Sequence, residues 1–131
     1  MRIENLAKTE VVTVGPSAHL DVAAQRMNAD RIGSLVVMEG NTLVGIITER
    51  DLLRAMADGV PAGETQVSQY MTQHPATAIP DEETETVAER MAKLGVRHLP
   101  LLRGDRLVGI VSARELAGLE AWPRSGVDRS T

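Results

Sequence analysis

The chain has 131 residues, a formal net charge of −4, no Cys or Phe, and one Trp and one Tyr. An acidic balance repels a phosphate backbone and two rings cannot stack a run of bases, which speaks against nucleic-acid binding; without thiols there are no disulfides and no thiolate metal sites. The length suits one ordinary domain with an aliphatic core. Neither a signal-peptide run at Met1–Asn5 nor a stretch of about 18 apolar residues is found, so a cytoplasmic protein without a membrane partner is expected.

In chain order, Ile3 to Ala7 reads as a short helical lead. Val11 to Val14 is extended, and Pro16-Ser17 carries a helix-start signal. An amphipathic helix follows, with Leu20, Ala23, Ala24 and Met27 on its apolar face. Two strands, Ser34 to Met38 and Leu43 to Thr48, are joined by the turn signal Glu39-Gly40-Asn41, and a second helix starts at Glu49. Gly and Pro punctuate residues 59–66 as a linker.

The same order then recurs. Gln66 to Met71 reads as a short lead, Ala76 to Ile79 as a strand and Pro80-Asp81 as a helix start. The next helix carries Val87, Met91 and Leu94 on one face. Strands at His98 to Leu102 and Leu107 to Ser112 flank Arg103-Gly104-Asp105, and a helix starts at Ala113. From Trp122 the tail is polar and is expected to fray.

The recurrence has a constant offset of 64 residues without gaps. It sets Thr13 on Thr77, Pro16 on Pro80, Arg26 on Arg90, Met27 on Met91, Leu35 on Leu99 and Gly40 on Gly104. A register of this length indicates duplication of one β-α-β-β-α unit. The expected organisation is a first unit at 1–58, a linker at 59–66, a second unit at 67–119 and a flexible tail at 120–131. One unit cannot cover both faces of its sheet, so the two are expected to pack as a pseudo-twofold pair within an α/β (α+β) fold.

Gly45-Ile46-Ile47-Thr48-Glu49-Arg50-Asp51, its counterpart Gly109-Ile110-Val111-Ser112-Ala113-Arg114-Glu115, and Val96-Arg97-His98-Leu99-Pro100 carry a resemblance to a tandem CBS-domain pair, or Bateman module. It covers about residues 3 to 119, so the chain resembles a stand-alone CBS-pair protein. The resemblance implies a homodimer and an adenosine-type nucleotide in a cleft between units. Thr48 then meets phosphate and Asp51 the ribose hydroxyls. Arg97 or His98, followed by Pro100, approaches the phosphates, and Thr77 and Ile79 flank the adenine. A second, poorer site holds Thr13, Ser34, Ser112, Arg114 and Glu115, where Glu115 replaces the Asp. Mg is implied only if the nucleotide is ATP.

The residues alone leave alternatives open. A helix start with a Thr hydroxyl and an Asp one turn in suits a ribose phosphate, but Thr-x-x-Asp also reads as a capping box, and Ser112-x-x-Glu115 is a proper one. Arg50 and Arg114 suit either phosphates or solvent. Arg97 suits a surface ion pair, and His98 a packed strand position. The three His have no spacing suited to metal ligation, and no nucleophile stands beside a base, so neither metal nor catalysis is expected. The leading functional expectation is a sensor for AMP, ADP, ATP or S-adenosylmethionine, without covalent cofactor, read by an unknown effector protein. The alternative is a ligand-free dimerisation scaffold.

Overall fold

The computed structural model describes residues 1–118. The expected frayed tail therefore lies outside the described residues. The elements are β1 (Thr13–Val14), α1 (Leu20–Asp30), β2 (Ser34–Glu39), β3 (Thr42–Thr48), α2 (Glu49–Ala57), β4 (Thr72–Gln73), α3 (Thr84–Leu94), β5 (His98–Arg103), β6 (Arg106–Ser112) and α4 (Ala113–Ala117). Single 3-10 turns lie at Ile3–Asn5 and Val67–Gln69, where short helical leads are expected. Among the described residues no helix is long and apolar enough to cross a membrane.

The chain forms two compact units, and they differ from the sequence repeats in one respect. One unit is Val11–Pro75; the other joins Met1–Glu10 to the segment from Ala76 onward. The lead of each repeat therefore belongs to the body of the other repeat. In the first unit β1 runs parallel to β2, β2 pairs antiparallel with β3, and β4 closes the far edge of β3. The second unit has the β5–β6 hairpin, with a parallel bridge from Ala78 to Leu101 and an antiparallel bridge from Lys8 to Ile110 in the matching places.

Each unit has its own core. Leu20, Ala23 and Met27 of α1 meet Leu35, Val37 and Ile47 of the sheet, together with Val67 from the exchanged turn. In the other unit Val87, Ala88 and Met91 meet Leu99, Leu101 and Val111, and Ile3 fills the place of Val67. Ile3 and Val67 are fully buried, and burial of such a side chain stabilises by about 1.5–3 kcal/mol. Ala24 and Leu94 depart from expectation: both are exposed, because they lie at the margin of the apolar stripe.

The helix starts are also later than Pro16-Ser17 and Pro80-Asp81 suggest. Helix α1 begins at Leu20 and α3 at Thr84. The intervening backbone is taken up by the exchanged leads. Val67 N and Ser68 N donate to Ala18 O (2.8 Å) and Pro16 O (3.0 Å), while Leu20 N donates to Thr65 O (2.9 Å). In the other unit Ile3 N and Glu4 N donate to Glu82 O and Pro80 O, and Thr84 N to Met1 O. Carbonyls from far along the chain, Thr65 of the linker and Met1 of the first lead, thus satisfy helix-start amides that a local cap would otherwise serve.

Two glycines make the exchange possible. A Cβ on Gly45 would lie 2.6 Å from Met71 Sδ and 2.9 Å from Thr72 O; one on Gly109 would lie 2.9 Å from Lys8 O. The shared Gly of the two repeat motifs is therefore a place of close backbone approach. Gly45→Ala is expected to lower stability by about 1–3 kcal/mol in urea unfolding, whereas Gly15→Ala, where a Cβ meets nothing within 4 Å, leaves it nearly unchanged.

The C-termini of α1 and α3 end alike in a left-handed residue, Arg31 (φ 54°) and Gly95 (φ 70°). Only Gly adopts this conformation without a steric cost. Arg31→Gly is expected to raise the stability of the chain by about 0.5–1 kcal/mol, read as a higher urea midpoint with unchanged slope.

Candidate functional site

Helix α2 starts where β3 leaves the sheet. Thr48 is extended, and its Oγ1 accepts from Asp51 N (3.3 Å). Asp51 Oδ2 in turn accepts from Thr48 N (2.9 Å) and Thr48 Oγ1 (3.1 Å). The capping box is thus fully formed. The other oxygen, Oδ1, accepts from Arg54 Nη2 at 3.2 Å. The same nitrogen donates to Tyr70 O at 3.1 Å, and the guanidinium lies 5.6 Å from the centre of the Tyr70 ring. The Tyr70 hydroxyl donates to Asp58 Oδ2 at 2.6 Å, which raises its pKa because the bond stabilises the protonated phenol. The side chain of Asp51 is 11 % exposed and that of Arg54 58 %.

The start of α4 is similar but simpler. Glu115 Oε1 accepts from Ser112 N (2.8 Å) and Ser112 Oγ (3.1 Å). Its Oε2 has no protein partner among the described residues. The repeat offset places Gly118 where the first unit has Arg54.

The hairpins align further residues with these junctions. Ser34 lies opposite Thr48, and His98 opposite Ser112. Glu49 N donates to Gly33 O (3.0 Å) and Ala113 N to Arg97 O (2.8 Å), so each helix start is laced to the start of the neighbouring strand. His98 is half-buried, and its pKa falls to about 4. Burial is the main cause, aided by the positive charges of Arg97 and Arg114. Among the described residues Arg50, Arg97 and Arg114 form no ion pair.

The extended segment that opens each repeat, a strand at Thr13–Val14 and a single bridge at Ala78, is held by an equivalent arginine. Arg26 Nη1 donates to Thr13 O (2.7 Å) and Arg90 Nη1 to Thr77 O (2.9 Å). Arg90 also pairs with Glu82, whose Oε1 accepts from Ile79 N at 2.9 Å. This pairing lowers the pKa of Glu82 and raises that of Arg90. Ile79 is 54 % exposed, whereas Pro100 is buried opposite Ile110.

Thr13, Ser34, Thr48, Arg50 and Asp51 fall in the unit of Val11–Pro75; Thr77, Ile79, Arg97, His98, Pro100, Ser112, Arg114 and Glu115 fall in the other. Within units, the structure brings Thr48 to Asp51 and His98 to Ser112. Arg54, Tyr70, Glu82 and the carbonyl-binding role of Arg26 and Arg90 are additions to the residues expected from sequence. Arg54 is foreshadowed by its i,i+3 spacing from Asp51. Nothing in the sequence foreshadows Tyr70, which arrives with the exchanged lead. Among the described residues no three His, Asp or Glu side chains gather as a metal-ligand set.

A strand-to-helix junction with a hydroxyl and a carboxylate occurs in each of two β-α-β-β-α units, and this repetition defines a tandem-repeat fold. The CBS domain model matches residues 3–58 and 67–120, and the chain belongs to the CBS-domain family, with two such domains in tandem. It is 34 % identical over 116 residues to the CBS domain-containing protein YhcV of Bacillus subtilis, covering 88 % of this chain and 82 % of that protein. A solved CBS-domain structure, NE2398, superposes with a TM-score of 0.87 at 33 % identity, over 92 % of this chain and 97 % of the other. The CBS domain pair of MJ0100, solved in complex with 5′-methylthioadenosine and S-adenosyl-L-methionine, gives 0.85 at 25 % identity, over 92 % and 95 %. Against some longer relatives the chain spans less than half of their length.

The low pKa of His98 has a measurable consequence. Between its ordinary value of 6.5 and about 4, the unfolded chain binds a proton that the folded chain refuses. The contribution of neutral His98 is present above pH 6.5 and lost as the pH falls toward 4. Urea-unfolding stability is expected to fall across this window by on the order of 1–3 kcal/mol, and His98→Gln to flatten the fall. The loss from Glu82 belongs to lower pH, below its ordinary 4.5, and persists in that variant.

Proposed function

We propose that this chain is a regulatory module that binds an adenosine-type compound, with Thr48 and Asp51 as its principal contacts. The carrying observation is the β3–α2 junction itself: an almost buried carboxylate and a hydroxyl held together at the start of a helix. A carboxylate there accepts from vicinal ribose hydroxyls, and the backbone N–H groups of a helix start attract an anionic group. The likeness to a CBS pair complexed with two adenosine compounds supports this choice of ligand class. Arg50, Thr77, Ile79, Arg97, His98 and Pro100 are further candidate contacts for the same compound. Thr13, Ser34, Ser112, Arg114 and Glu115 are a second and poorer place for the same chemistry. Binding acts by favouring one conformation or assembly, which an effector protein reads. Catalysis forms no part of this reading.

One observation favours a second reading, the dimerisation scaffold. Helix α2 exposes Leu53 (62 %) and Met56 (78 %), three residues apart and so on one face. Unpartnered apolar residues at that spacing suit a helix-mediated contact.

A thermal-shift panel with AMP, ADP, ATP, NAD, S-adenosylmethionine and GTP separates the two. Ligand at 100 times Kd stabilises by about 2.7 kcal/mol, a midpoint shift on the order of 5–10 °C. At least one adenosine compound is expected to give this shift. Asp51→Ala, measured against its own baseline, removes most of it, and Glu115→Ala removes less. A flat panel with a stable dimer in sedimentation sinks the sensor and leaves the scaffold.

A further inference from the structure

Asp51 is more heavily engaged than a ligand-binding carboxylate in waiting needs to be. A carboxylate offers about four lone-pair positions. At Asp51 the capping box takes two on Oδ2, and Arg54 takes one on Oδ1. The vicinal hydroxyls of a ribose bring two O–H donors to the single position that remains. Glu115 differs: its Oε1 serves the helix start, its Oε2 has no protein partner among the described residues, and Gly118 stands where an arginine would reach it.

We propose that Arg54 competes with the ribose hydroxyls of an adenosine compound for Oδ1 of Asp51, so that binding draws the guanidinium off the carboxylate. The proposal rests on the reading of Asp51 as a ribose contact. Arg54 is placed to act as such a latch. It is exposed, so displacement moves it into water without burying a charge. Its one nitrogen is shared between Asp51 and the Tyr70 carbonyl, and its plane lies near the Tyr70 ring, so the same movement loosens the hold on the segment that leads into β4. The latch thereby makes ligand affinity and the anchoring of that segment opposed quantities. It belongs to one junction only.

The test is isothermal titration of AMP and of 2′,3′-dideoxy-AMP into the unaltered chain and Arg54→Ala. An exposed ion pair is weak, so Arg54→Ala is expected to bind AMP roughly two- to fivefold more tightly. Its affinity for the dideoxy compound, which brings no hydroxyls to Asp51, is expected to match that of the unaltered chain. If the unaltered chain binds AMP and Arg54→Ala binds it equally or more weakly, the latch is wrong and Asp51 as a ribose contact survives. An equal gain for both compounds also overturns it, since the variant would then act through general loosening. If neither chain binds AMP or any other adenosine compound of the thermal-shift panel, the reading beneath the latch falls and takes the latch with it.

Discussion

The open edge of a two-stranded hairpin is the constraint on which this structure turns. A hairpin alone is marginal in water, and its outer strand presents unpaired amides and carbonyls. Here the edge of β3 is closed by β4, and the edge of β6 by the bridge at Lys8. Both closures come from the lead of the other repeat, and both need a glycine because backbone oxygen passes within 3 Å of where a Cβ would stand. The most recognisable glycines of the sequence thus serve the sheet edge.

The junctions that follow those glycines combine two tasks. At each, a carboxylate satisfies a helix start, and a hydroxyl on the preceding residue turn supports it. Capping and ligand contact are compatible because a carboxylate has two oxygens, and the cap uses only one of them. What distinguishes the two junctions is what happens to the second oxygen. In one it is held by Arg54; in the other it meets no described protein group. Duplication supplied two similar starting points, and single residues outside the shared motif gave them different electrostatics.

Much of this was legible in the sequence, for local reasons. The hairpins carry short apolar runs joined by Gly turns, and β2, β3, β5 and β6 lie within a residue of where Ser34, Leu43, His98 and Leu107 begin the expected strands. The starts of α2 and α4 follow from Thr48 and Ser112. Helices α1 and α3 start later than Pro16 and Pro80 signal, because those signals are local, whereas the amides of Leu20 and Thr84 are served from far along the chain. The leads read as parts of their own repeats, and the CBS match at 3–58 and 67–120 divides them in the same way, whereas the compact units exchange them. Of the candidate site, the Thr48–Asp51 pair was visible in spacing; the role of Tyr70 was not, since its neighbour Arg54 is brought to it only by the exchange.

The crossed ownership of the leads also dictates an order of assembly. Val11–Pro75 is continuous, so its sheet can close as soon as β4 has been made. The segment Met1–Glu10 precedes that unit in the chain, yet its partners Pro80, Glu82 and Ile110 all follow it. Closing so long a loop costs little more in entropy than a shorter one, but non-local pairings form slowly. During synthesis Met1–Glu10 therefore waits, with Ile3 in water, until β6 gives it a place.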